Sequence, residues 1–265
     1  AVQEKVEKGV LPPDKVLGAL QAIHDGKFAA SDGATIVVPQ RPRLIHGRYN
    51  PIEVQVRNLW KWDKRFGLGL PKGWDEQLDV PADLLTWWAQ PENVLISVNV
   101  VAFLEAKDGV KGEHRTFDVY WEIVKTQHPN AWRNEHLLAA DEKLQLLPGI
   151  AHVPGVRIEI IDHGAHWDKT TGLKPMDVRS PETSPHAGLL ASGANHPKRI
   201  RKMDGVTVPF EWIAGYQATV PGNDPLRGVP VWLWSRDDRQ VYLSASWGGA
   251  PGSNCSVPVR REWKR

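Results

Sequence analysis

The run Val231-Trp232-Leu233-Trp234-Ser235-Arg236-Asp237-Asp238-Arg239-Gln240-Val241-Tyr242-Leu243 decides the fold class. Two alternating stretches, rich in aromatic and β-branched residues, flank the turn-forming pair Asp237-Asp238. A two-residue turn there sets Trp234 opposite Val241 and Trp232 opposite Leu243, so those four side chains share one sheet face with Trp247.

Working outward, the same patterns give a series of short elements. Pro12-Pro13-Asp14, followed by Val16, Leu17, Leu20 and Ile23, has the start signal and spacing of a helix that ends at Gly26. Thr35 to Val38 reads as a strand. Ile52 to Trp62 alternates Ile52, Val54 and Val56 with Glu53, Gln55 and Arg57, the pattern of a half-buried strand. Pro81 to Gln90 reads as a short helix and Val94 to Leu104 as a buried strand. Phe117 to Thr126 and Ala131 to Leu147 read as helices, the second stopped by Pro148-Gly149. Val156 to Ile161 is a strand, His163 to Thr183 is irregular, and Pro185 to Met203 is a helix. Val208 to Val220 contains a further strand, and Ser256 to Arg260 is a last edge strand.

Helices and strands do not alternate regularly. The expectation is therefore an α+β fold with a mixed, largely antiparallel sheet and several helices, irregular and rich in turns. The 21 prolines and 23 glycines scattered along the chain agree with many short connections. One globular domain over residues 1–265 is expected, and residues 148–155 are the best place for a seam between two lobes.

Composition narrows the function classes. A formal net charge of +2 supplies no strong field toward nucleic acid or an anionic membrane, so neither is expected as a partner. The longest nearly uncharged apolar stretch, Val94 to Leu104, is too short to span a bilayer. Cys255 is the single cysteine. It excludes an internal disulfide and any multi-cysteine metal centre, and it points to a reducing, cytoplasmic setting. No cofactor can be assigned.

Complete catalytic signatures are missing. No Gly precedes Lys-Ser or Lys-Thr as a phosphate-binding loop requires, and no Ser lies in Gly-x-Ser-x-Gly. Gly67-Leu68-Gly69-Leu70-Pro71-Lys72-Gly73 imitates a dinucleotide loop, but its third Gly is one place late and Pro71 and Trp74 sit where a phosphate-binding helix should begin, so it reads as a turn. Lys198, Arg199, Arg201 and Lys202 read as cations completing a helix C-terminus.

Two clusters remain as candidates. Asp162-His163-Gly164-Ala165-His166-Trp167-Asp168 follows an apolar strand, and imidazole and carboxylate are ordinary metal ligands, so His163, His166 and Asp168 form a candidate metal site. A third imidazole from His152 or His186 would complete it. The 13 tryptophans are the other signal. Trp62, Trp74, Trp167 and Trp263 sit beside charged residues and are candidates for a ligand-binding surface. The preferred expectation is a non-catalytic protein that binds a ligand or protein partner on a Trp-lined surface. The alternative is a metal-dependent hydrolase organised around His163, His166 and Asp168.

Overall fold

A computed structural model describes residues 28–29, 35–36, 49–138, 143–164, 172–206, 208–219, 228–249 and 254–263. By its contacts the chain divides into two units, Ala1–Pro42 and Arg43–Arg265. In the first, β1 (Phe28–Ala29) pairs antiparallel with β2 (Thr35–Ile36). The helix read at residues 12–26 lies outside the described residues.

The second unit is α+β. It holds six helices among the described residues: α1 (Ile52–Phe66), α2 (Ala82–Trp88), α3 (Gly112–Gln127), α4 (Pro175–Val178), α5 (Ala187–Asn195) and α6 (Pro197–Ile200). Its strands are β3 (Ile96–Phe103), β4 (Trp132–Arg133), β5 (Leu144–Leu146), β6 (Gly155–Asp162), β7 (Phe210–Trp212), β8 (Tyr216–Ala218), β9 (Gly228–Ser235), β10 (Gln240–Trp247), β11 (Cys255–Ser256) and β12 (Val259–Arg261). None of the described helices is long and apolar enough to cross a membrane.

The strands form two sheets. The order β12–β6–β3 makes an antiparallel three-stranded sheet. The other follows β11–β7–β9–β10–β4, with β8 on β9 and β5 on β8. Its pairs β10–β4 and β11–β7 are parallel and the rest antiparallel. The hairpin β9–β10 has the register read from the sequence, Trp234 opposite Val241 and Trp232 opposite Leu243. Its connection is longer than two residues: pairing ends at Ser235 and Gln240, and Arg239 takes the left-handed conformation with φ 52°. Trp232 is fully buried, whereas Trp234 is half-buried and packs on the core margin.

α5 sits between the two sheets. All nine of its residues are buried, and its polar Ser192 and Asn195 hydrogen-bond to β3. Glycines allow the close approach. A β-carbon on Gly188 would collide with the Glu159 carboxylate of β6, and one on Gly193 with the Trp232 ring of β9.

Four sequence expectations need correction. Ile52 to Trp62 is helical, not extended, and buries Ile52, Gln55, Leu59 and Trp62. Their spacing is that of one helix face, and a polar Gln55 at a core position conceals it. Ala131 to Leu147 is not a helix. Trp132–Arg133 joins the edge of β10, a 3-10 turn follows at Glu135–Leu137, and Leu144–Leu146 pairs with β8. Pairing with strands far along the chain overrides the local pattern. Pro185 to Met203 is broken at His196, because Pro197 offers no N–H and restricts its predecessor.

The stretch Ser256 to Arg260 is likewise divided at Pro258, with β11 in one sheet and β12 in the other.

Candidate functional site

In an antiparallel sheet, residues directly opposite one another share a face. The β3–β6 register therefore puts Ser97, Asn99 and Val101 on the same face as Ile161, Glu159 and Arg157, and the β12–β6 register adds Arg260. This face carries an unusual density of polar groups, and α5 lies against it. It divides into a closed network at one end and an open cleft at the other.

The closed network centres on His163, which continues β6 by one residue and is fully enclosed. Its Nε2 lies 2.8 Å from Ser97 Oγ, and its Nδ1 lies 2.9 Å from Glu211 Oε1. Ser97 Oγ is also 3.1 Å from Ser192 Oγ of α5 and accepts from Asn99 Nδ2 at 2.9 Å. Arg199 Nη2 donates to Glu211 Oε1 and lies 2.6 Å from His163 Nδ1, and Trp232 Nε1 donates to Glu211 Oε2 at 3.2 Å.

Arg199 was expected among cations at a helix end. Instead the break at His196 turns it inward, and both it and Glu211 are wholly buried. Burial pushes the Glu211 carboxyl upward, but Arg199 and His163 outweigh that and hold it below the usual carboxylate range. Burial, reinforced by Arg199, lowers the His163 imidazole and keeps it neutral near pH 7.

Serine, histidine and glutamate in this chain have the separations of a nucleophile, base and orienting acid. Two features set the network apart from an open catalytic site. Protein partners already occupy Ser97 Oγ on three sides. Arg199 also offsets the Glu211 charge that would stabilise an imidazolium.

The open end is a cleft of about 690 Å³ along the outer edge of β6. Arg157, Glu159 and Arg260 line one side, while Pro81, Leu84, Ile158 and Ile160 line the other, with Trp263 as a wall. The Trp263 ring lies 5.1 Å from that of Trp87 in α2. Glu159 is only 5% exposed; its Oε1 faces the Arg157 guanidinium at 3.5 Å, while its Oε2 packs against Gly188 of α5 and has no hydrogen-bond partner among the described residues. Burial raises the Glu159 pKa, and Arg157 and Arg260 counter this in part.

His186 precedes α5, fully buried, with neither ring nitrogen hydrogen-bonded among the described residues. Its ring lies 5.2 Å from Phe103. Burial, with Arg260 and Arg157, pushes it down to about 3. Unsatisfied buried groups of this kind are uncommon and call for a reason.

The residues singled out from sequence fall in different places. His166, Trp167 and Asp168 lie outside the described residues. His163 is inside the closed network, where protein groups meet both ring nitrogens and the Arg199 cation stands beside Nδ1. No group of three or more His, Cys, Asp or Glu side chains among the described residues is arranged to hold a metal ion.

Trp62 and Trp74 are core residues, at 8% and 3% exposure, rather than parts of an open surface. Charged neighbours in sequence do not expose them, because in α1 the charges at Lys61 and Lys64 point around the other side. Trp263 does border a cleft.

Sequence reasoning passed over Ser97 and Glu211 and read Arg199 only as a cation at a helix end. Only their meeting in space gives them meaning, although an Arg just after a helix-breaking Pro hints at an inward turn. Comparison with known proteins finds no matching family model, and no curated protein or solved structure matches significantly.

Proposed function

We propose that this is a non-catalytic binding protein whose ligand or partner occupies the cleft walled by Trp263. One observation carries the reading: the cleft brings Arg157, Arg260 and Trp263 together beside a stretch of β6 that has no strand partner among the described residues. A bound acidic group that accepts from Arg157 and Arg260 would complete it. Trp263 supplies an apolar face for the same ligand. The single thiol, buried at Cys255, fits a reducing compartment, and the cytoplasm is the proposed location.

A fragment screen followed by ¹⁵N–¹H shifts tests the reading. Carboxylate, amide and aromatic fragments should perturb the Trp263 indole and the Arg157 and Arg260 side chains. Hits confined to other surfaces, or none, would refute it.

A second reading is acyl transfer at Ser97, favoured by the 2.8 Å and 2.9 Å steps through His163 to Glu211. A fluorophosphonate probe separates the two readings. Binding alone predicts no labelling, whereas labelling of the native protein that disappears in Ser97→Ala would establish the nucleophile.

A further inference from the structure

The two edges of the three-stranded sheet are treated in opposite ways. β3 is the inner edge, and side chains close it along its length. Gln55 of α1 donates to Val98 O and accepts from Val100 N, each at 2.9 Å. Asn195 donates to Val100 O at 3.0 Å, and Trp88 donates to Ile96 O at 2.8 Å. Tyr120 OH accepts from Ala102 N at 2.7 Å, and Thr116 Oγ1 accepts from Leu104 N at 2.9 Å. Side chains here stand in for a missing neighbouring strand.

β6 forms the other side. It pairs with β3 over its whole length but with β12 only from Ile160 to Asp162. From Gly155 to Glu159 its edge has no strand partner among the described residues. Alternation directs the N–H and C=O groups of Val156 and Ile158 out of that edge, into the cleft. One more paired residue would put Glu262 opposite Glu159 on the same face, two carboxylates at cross-strand distance.

We infer, resting on the binding reading above, that an extended peptide of a partner protein adds to β6 along residues 155–159, in line with β12. Its length is about five residues, or roughly 17 Å. The register dictates its chemistry. The residue opposite Ile158 faces Leu84 and Ile160 and is apolar. The residue opposite Arg157 lies on the arginine-bearing face and is acidic. The residue opposite Glu159 sits beside a buried carboxyl and carries no negative charge. Main-chain bonds to Val156 and Ile158 supply the affinity, and the alternating side chains supply the selection.

The test uses the full chain and a pool of fluorescein-labelled, end-capped pentapeptides in which apolar and polar positions alternate, read by anisotropy. Peptides with an apolar second residue followed by an acidic residue at the centre should bind best. N-methylation of the residue opposite Ile158 should weaken them by about ten-fold, the worth of one main-chain hydrogen bond. Arg157→Glu should switch the preference from an acidic to a basic residue at the facing position, a reversal that a folding defect cannot produce.

Equal binding of N-methylated peptides, or no binding anywhere in the pool, overturns the inference. If fragments still occupy the cleft in that case, the peptide inference alone fails. If they do not, the binding reading fails with it.

Discussion

Replacing Arg199 with Met probes the buried network most directly. The guanidinium and the Glu211 carboxylate are both fully enclosed, so the variant leaves a buried carboxylate without its main counter-charge. His163 Nδ1 at 2.9 Å and Trp232 Nε1 at 3.2 Å still reach it, which limits the damage. Breaking one side of a buried ion pair costs about 3–5 kcal/mol. In a unit of this size that corresponds to a fall in Tm of about 6–20 °C.

The double variant Arg199→Met/Glu211→Gln removes the stranded charge with its partner. It should be less destabilised than the sum of the single variants by at least about 1.5 kcal/mol. Urea unfolding at pH 7, followed by tryptophan fluorescence, supplies the four stabilities. The deficit of Arg199→Met should also shrink as pH falls, because its Glu211, no longer held down by Arg199, takes up a proton in the folded state while the wild-type carboxyl does not. A loss below about 1 kcal/mol for Arg199→Met, or strictly additive variants, would refute the network as described.

Other outcomes follow from the same geometry. Trp232→Ala should cost about 3–5 kcal/mol in denaturant titration, and Trp234→Ala roughly half as much, because Trp232 is enclosed and Trp234 is not. Gln55→Ala uncovers the backbone of Val98 and Val100 and should cost about 1–3 kcal/mol, with faster amide exchange at Val100. His163, His186 and His196 are all lowered by burial, so the unfolded chain binds their protons first as the solution is acidified. Their contribution is present above about pH 6.5 and is lost below it, at up to about 1.4 kcal/mol per histidine per pH unit, which thermal melts between pH 7 and 5 will register. Burial pushes the Cys255 thiol up to about 11, so the native protein should react with a disulfide reagent far more slowly than the urea-unfolded chain.

Readability from sequence depended on whether a residue's role was local. The β9–β10 hairpin could be placed in register because alternation and turn residues lie within a short window. Val94 to Leu104 was recognisable as buried by apolar content alone, and β3 is buried throughout. α1 was misread because Gln55 occupies a core position in order to bond a strand some forty residues away, which no local period can reveal. The site followed the same division. His163 stood out within its own heptapeptide, but Ser97, Arg199 and Glu211 come from three separate elements and carry no pattern of their own. The cleft was invisible for a related reason: it arises where β12 ends, and that boundary is set by pairing between strands far apart in the chain.

The contrast between the sealed β3 edge and the open β6 edge also governs self-association through this sheet. A sheet with two bare edges can polymerise, each copy templating the next. Here one end is capped by side chains, so two copies that met edge to edge would use β6 twice, related by a two-fold axis, and leave nothing for a third. Growth through this sheet therefore terminates at the dimer, and a fibre built on it would first require the side-chain caps on β3 to be removed.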